Sequence, residues 1–204
     1  MSSETHTLYN VYIGPHTNVR TLVTTSASMV DSWISKTERI HNRRLDRLIV
    51  GLDVEWRPCF IRHVVNPVAI IQLCVGHRCL IFQLLHADYI PRSLYEFLAN
   101  SNYRFVGVGV GEDAEKLKAH YHLSVGKTVD LRDEAARKEG DWSLKSTGLK
   151  GLARIVLGME MEKPKRITLS RWDRRYLDYA QVNYACADAY FSFQIGKTLM
   201  AAQP

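Results

Sequence analysis

The chain has 204 residues, of which 46% are hydrophobic and 24% are charged, with a net charge of +6 and an isoelectric point near 9.2. This length suits one hydrophobic core, and we expect residues 1–204 to form a single domain. No apolar run approaches the roughly 20 residues that span a bilayer, and the first six residues lack the basic start and apolar core of a signal peptide. The composition excludes a membrane-spanning protein, and the positive charge favours a polyanionic partner.

The four cysteines show none of the spacings that bind zinc or form redox pairs. All of them lie inside apolar segments, at Cys59, Cys74, Cys79 and Cys186. We interpret them as reduced packing residues of an intracellular protein, located in the cytoplasm or in the nucleus.

The first part of the chain predicts strands and one helix. Two alternating segments, 7–13 and 19–25, are joined by a turn at Gly14-Pro15, and a helix starts after Ser26. Three further apolar runs predict an antiparallel meander over residues 47–56, 68–75 and 79–83.

The second part alternates between helices and strands. Its strands are predicted over 104–110 and 128–131, and its helices over 93–98, from Glu112 onwards, and over 131–139, 147–157 and 174–200. A meander followed by βα units predicts an α/β fold with a mixed sheet and helices packed on its faces.

Two carboxylates end the first strand of the meander. Residues two apart on a strand point to the same side, so Asp53 and Glu55 share one face. They repel each other, and one of them is neutral at pH 7 unless a cation lies between them. A strand end that runs into solvent is an equally good explanation of this pair taken alone.

A third acid follows a glycine-rich segment, Val106–Gly111. Asp113 begins the next helix, where a carboxylate also stabilises the helix dipole. The glycines are spaced G-x-G-x-G, without the third glycine of a dinucleotide fingerprint, and the acid after them would repel a pyrophosphate. We therefore expect no nucleotide cofactor. The neighbouring Glu112 is an alternative ligand to Asp113.

A fourth acid lies inside the last helix. Tyr184 and Asp188 are four residues apart and share one helical face, and the small residues between them let the helix approach a sheet. A buried Asp188 needs a partner, which an arginine or a cap could also supply. Four acids without histidine or cysteine form an oxygen cage, which suits two Mg²⁺ or Mn²⁺ ions ~4 Å apart.

Three segments in this order carry a family resemblance: Leu52–Glu55, Val108–Asp113 and Tyr184–Tyr190. They resemble the three motifs of the DEDD 3′–5′ exonucleases, and a tyrosine four residues before the last Asp resembles the DEDDy branch. Similarity to the Werner-syndrome exonuclease group extends over about residues 45–200. A short chain with extra amino-terminal strands most resembles the plant RISC-interacting clearing 3′–5′ exoribonucleases.

The resemblance implies a ribonuclease-H-like (DnaQ-like) fold and a two-metal mechanism. In it, two Mg²⁺ or Mn²⁺ ions would be held by Asp53, Glu55, Asp113 and Asp188, and Tyr184 would orient the attacking water or take its proton. It further implies a 3′–5′ exoribonuclease that acts on single-stranded RNA and releases nucleoside 5′-monophosphates. Argonaute proteins of the RNA-induced silencing complex would be its partners, and the chain would form a homo-oligomer, namely a hexameric ring.

Proximity in sequence suggests further substrate contacts. Base stacking is predicted for Trp56, Phe60 or Trp172, and phosphate contacts for Arg171, Arg174 or Lys165. Core packing is the alternative for the two tryptophans. Two other functions stay open: a 3′–5′ exodeoxyribonuclease of the Werner type, and a catalytically inactive nucleic-acid-binding module. The presence of all four acids and the tyrosine argues against the second.

Overall fold

Seven strands are present in the computed structural model, which describes residues 5–59, 61 and 65–201. Their bounds are β1 His6–Ile13, β2 Thr17–Thr24, β3 Ile49–Trp56, β4 Val68–Val75, β5 Arg78–Phe82, β6 Arg104–Gly107 and β7 Lys127–Asp130. They form one sheet in the order β1-β2-β5-β4-β3-β6-β7.

The helices lie mostly in the second half of the chain. They are α1 Ala27–Ile40, α2 Arg92–Ala99, α3 Val110–Tyr121, α4 Leu131–Glu139, α5 Leu149–Leu157, α6 Lys165–Thr168 and α7 Tyr179–Leu199. Short 3₁₀ segments cover Asn42–Arg47, Leu84–His86 and Trp142–Ser146. Across the described ranges, no helix combines the length and apolar character needed to cross a membrane.

The pairing of the strands makes the sheet mixed. β3, β4 and β5 form the predicted antiparallel meander, while β6 and β7 run parallel to β3. On the far side of the meander, β2 pairs with β5 in parallel, and β1 pairs with β2 in antiparallel fashion at the edge of the sheet. The predicted α/β class and mixed sheet are therefore confirmed.

Helices cover both faces of this sheet. On one face, the ring of Phe97 in α2 contacts Trp33 of α1 and Phe105 of β6, both edge-on. On the other face, α7 crosses the central strands and also contacts α4 and α5. Of its 21 residues, 14 are buried, so α7 is enclosed on most sides rather than lying on the surface.

Two predicted boundaries differ from the structure by three residues or more, and both differences have local causes. The last helix begins at Tyr179 rather than at residue 174, because Asp178 and Gln181 form a reciprocal capping box. The strand predicted to reach Val110 ends at Gly107, because Gly109 adopts a φ of 73° and starts α3.

Candidate metal centre

The approach of α7 to β3 builds the centre. Gly51 lies two residues before Asp53, so its missing side chain would point to the same face, the one that α7 covers. A Cβ atom at Gly51 would overlap the carbonyl oxygen of Ala189 and lie 2.8 Å from the backbone nitrogen of Phe193. Only glycine allows this close packing, which brings Asp188 against the carboxylates of β3.

Three carboxylates meet at this contact. Asp53, Glu55 and Asp188 each offer an oxygen atom within 4.8 Å of the others. Glu55 and Asp188 are buried, whereas Asp53 keeps partial exposure. The Oδ1 atom of Asp188 has no hydrogen-bond partner in the described part of the chain. Such a buried and unsatisfied oxygen donor set fits a divalent cation of the Mg²⁺ or Mn²⁺ type.

Asp113 is the acid that α3 contributes. Its side chain is buried in the first turn of the helix, whereas the neighbouring Glu112 is exposed. The turn before the helix is held by a hydrogen bond from the backbone N–H of Gly109 to Asp130 Oδ2, at 3.0 Å. Asp113 lies outside the group of three carboxylates, but the charge of Asp53 contributes to raising its pKa. Burial therefore favours Asp113 over Glu112 as the fourth acid.

Burial and mutual repulsion make all four carboxyls hard to ionise. Burial, followed by the charges of Asp53 and Asp188, raises the pKa of Glu55 to about 10. Burial and the charge of Asp53 raise the pKa of Asp113 and the pKa of Asp188 to about 8 each. Burial also raises the pKa of Asp53. A cluster of this kind is stable in its ionised form only with positive charge among the carboxylates.

Tyr184 lies one helical turn before Asp188. Its ring packs against the buried Trp172, with 5.8 Å between the ring centroids, and its hydroxyl shares a 2.8 Å hydrogen bond with Thr168 Oγ1. Burial and the charge of Asp188 raise the pKa of Tyr184 to about 12. The phenol is therefore protonated at neutral pH.

Lys163 is a member of the centre that the sequence reasoning missed. Its Nζ atom lies 2.7 Å from Asp188 Oδ2 and 5.3 Å from the centroid of the Tyr184 ring. Burial lowers the pKa of Lys163, but the charges of Asp188 and Asp53 outweigh it and raise this pKa above its ordinary value. The sequence pattern does not distinguish this lysine from the nearby Lys165, which is exposed.

The predictions of base stacking have mixed outcomes. For Trp172, base stacking is wrong and the alternative of core packing is confirmed, because its side chain is fully buried and its Nε1–H donates to the carbonyl oxygen of Thr168 at 3.1 Å. Trp56 is half-buried beside the acids, and Lys116 Nζ lies 4.6 Å from its ring centroid. Phe60 lies outside the described residues.

The residues predicted to contact phosphate differ in whether they already pair with a carboxylate. Arg171 lies 3.4 Å from Asp173, and Arg174 lies 3.2 Å from Asp178, so both guanidinium groups already have carboxylate partners. Lys165 is exposed at the start of α6. Their contacts with a substrate stay predictions.

A cavity of about 590 Å³ lies at the end of the sheet opposite the carboxylates, where β6 and β7 begin. It is lined by the basic side chains Arg104, Lys127, Arg137 and Lys138. Arg137 pairs with Glu134, and Lys138 donates to the last carbonyl oxygens of α7. Of its described lining residues, only Glu134 carries a carboxylate.

The family follows from comparison with known proteins. A family model described as 3′–5′ exonuclease matches residues 23–202. The chain belongs to the 3′–5′ exonuclease family.

A 3′–5′ exonuclease of Arabidopsis thaliana is 34% identical over 185 residues, which cover 88% of this chain and 63% of the relative. The mouse bifunctional 3′–5′ exonuclease/ATP-dependent helicase WRN is 34% identical over 158 residues, which cover 76% of this chain and 11% of the relative. The chain thus spans less than two thirds of either relative.

Solved structures of the family have the same fold. The EXD2 exonuclease domain soaked in Mn and GMP superposes with a TM-score of 0.51 and 28% identity, covering 88% of this chain and 89% of that one. Escherichia coli RNase D, described as an exoribonuclease involved in structured RNA processing, gives a TM-score of 0.68 at 20% identity. That match covers 87% of this chain and 44% of RNase D, and it bears on the fold alone. The predicted ribonuclease-H-like architecture is confirmed.

Proposed function

We propose that this chain is a divalent-metal-dependent 3′–5′ exoribonuclease that shortens single-stranded RNA and releases nucleoside 5′-monophosphates. The observation that carries the proposal is the cluster of Asp53, Glu55 and Asp188, with Asp113 beside it, in a chain of the 3′–5′ exonuclease family. These buried carboxylates, which come from a strand and a helix, repel one another when they are ionised, and divalent cations among them would offset that repulsion.

Two Mg²⁺ or Mn²⁺ ions fit the oxygen ligands of these four acids. The soaking of the related EXD2 domain in Mn and GMP supports this choice of metal. When bound, such ions polarise the phosphodiester and acidify a water molecule. The residues of the chain hold the ions in place, with Asp188 on α7 and Asp53 and Glu55 on β3 fixed by the close packing at Gly51.

Tyr184 would orient the attacking water. Its pKa of about 12 leaves the hydroxyl protonated at neutral pH, so it acts as a hydrogen-bond donor and acceptor. The hydrogen bond to Thr168 and the contact with the ring of Trp172 restrict its orientation. This rigidity preserves the geometry of attack from one turnover to the next.

RNA is our choice of substrate over DNA. The motifs resemble those of the plant RISC-interacting exoribonucleases. On the same resemblance, we propose that the chain forms a hexameric ring in the cytoplasm and clears RNA fragments from Argonaute complexes. The net charge of +6 supports a nucleic-acid substrate but does not favour either nucleic acid.

The test is digestion of 5′-labelled single-stranded RNA and DNA of the same sequence in Mg²⁺. Wild type is compared with Asp53→Asn, which removes one ligand, and with Glu112→Gln, which changes an exposed acid next to the cluster. We expect a ladder that shortens from the 3′ end on RNA, is lost in Asp53→Asn and is retained in Glu112→Gln. A ladder on DNA alone would assign the chain to the Werner type, and binding without cleavage would make it a nucleic-acid-binding module.

A further inference from the structure

We propose that the Lys163 ammonium group is the resident cation of the metal-free centre and competes with the divalent ion for Asp188. The inference rests on the proposed function, because it concerns how the same carboxylates exchange one cation for another. It gives Lys163 a role in metal loading that the family motifs do not contain.

The first observation is the contact itself. Lys163 Nζ lies 2.7 Å from Asp188 Oδ2, and the Asp188 side chain has no exposed surface. A direct ion pair in such a poorly solvated position is strong when made and costly when broken. The ammonium group therefore supplies part of the positive charge that a metal would otherwise bring to Asp188.

The second observation is that the charge of Lys163 acts on the other acids of the centre. Lys163 acts electrostatically on Asp53, Glu55 and Asp113 as well as on Asp188. Its Nζ atom also lies 5.3 Å from the centroid of the Tyr184 ring. A single ammonium group balances only one of the four charges, which leaves the cluster able to accept divalent ions.

The third observation is the placement of Lys163 in the chain. It belongs to the irregular segment between α5 and α6, whereas its carboxylate partners lie on β3, α3 and α7. The side chain is 32% exposed, and its four-carbon stem can rotate toward solvent. The ammonium group can thus leave the centre without displacing any of the acids.

A second lysine provides a matched control for charge alone. Lys116 Nζ lies 4.0 Å from Asp113 Oδ1 and over the ring of Trp56. It neutralises charge near the cluster without an ion pair to Asp188. If Lys163 acts by occupying a metal position, removing it has a larger effect on metal affinity than removing Lys116.

The experiment measures Mn²⁺ binding by isothermal titration calorimetry after treatment with EDTA. The variants are Lys163→Met, Lys163→Arg and Lys116→Met, with the exposed Lys165→Met as a control for the substitution itself. We expect Lys163→Met to bind Mn²⁺ about tenfold more tightly than wild type, which corresponds to about 1.4 kcal/mol. Lys163→Arg keeps the charge and should stay closer to wild type than Lys163→Met does, Lys116→Met should gain less than about threefold, and Lys165→Met should not change.

Thermal unfolding gives a second readout that needs no catalysis. In EDTA, Lys163→Met should melt below wild type because Asp188 loses its partner, and saturating Mn²⁺ should remove that difference. Equal or weaker Mn²⁺ binding by Lys163→Met, or an equal gain in Lys116→Met, would overturn the inference. If the expected order of affinities is found while neither RNA nor DNA is cleaved, the proposed function fails and the role of Lys163 stands.

Discussion

Gly51→Ala tests whether the docking of α7 on β3 assembles the centre. The new Cβ atom would lie 2.8 Å from the backbone nitrogen of Phe193, and ordinary van der Waals contact begins at 3.4 Å, so α7 must move by at least about 0.6 Å (3.4 − 2.8). The overlap with the carbonyl oxygen of Ala189 requires a larger shift. Overpacking of this kind costs about 1–3 kcal/mol. For a chain of this size, that cost lowers the melting temperature by about 2–12 °C.

The same displacement moves Asp188 away from Asp53, so kcat should fall even where the variant is still folded. A shift approaching 1 Å in a catalytic arrangement costs up to about a hundredfold in rate, and we expect a loss of ten- to a hundredfold in kcat at temperatures where Gly51→Ala is fully folded. Gly111→Ala is the matched control, because nothing lies within 4 Å of a Cβ atom there, and it should be at least as stable as wild type and fully active. Normal stability and activity in Gly51→Ala would refute the described packing of α7.

Three further predictions concern the acids and the tyrosine. Asp113→Asn should reduce kcat by at least about a hundredfold, whereas Glu112→Gln should stay within about twofold in the same assay, because only the first acid is buried beside the cluster. The raised pKa of Glu55, about 10, and the raised pKa of Asp188, about 8, mean that the folded metal-free protein keeps protons that the unfolded chain releases. The contribution of these two carboxyls to stability in EDTA is thus full below about pH 4 and should decline in thermal melts as the pH rises to about 10, and a flat profile would contradict the burial of these acids. Tyr184→Phe should lower kcat by about ten- to a hundredfold without adding or removing an ionisation between about pH 6 and pH 9. Loss of a rise in kcat with increasing pH would instead show that the phenol acts as a base.

Local patterns in the sequence were sufficient to predict much of the fold. The alternating and apolar runs identified the meander, and the helix predicted over 147–157 ends where α5 does, at Leu157, before Gly158 adopts a φ of 64°. The start of α7 was predictable in principle, because Asp178 and Gln181 have the spacing of a capping box. The parallel pairing of β2 with β5 was not, since it joins strands far apart in the chain and depends on how the whole sheet packs.

Some residues of the centre can likewise be predicted from local sequence patterns, whereas others depend on the tertiary fold. Asp53 and Glu55 follow from the period of a strand, because local geometry alone puts them on one face. For Trp172 the sequence left base stacking and core packing open, and the packing of its ring against Tyr184 of α7 decides between them. Lys163 lies in an irregular segment with no periodicity, so its contact with Asp188 arises from the tertiary fold alone. The sequence thus indicates the acids of the centre but not the cation that pairs with them.

The central claim is that the carboxylate cluster between β3 and α7 is a metal centre. The most direct measurement is the anomalous scattering of Mn²⁺ in crystals of the protein soaked in manganese and a nucleoside 5′-monophosphate. We predict two anomalous peaks at the cluster, with at least one in contact with Asp53, Glu55 and Asp188. Peaks at other surface acids alone, with none at the cluster under saturating Mn²⁺, would contradict the account.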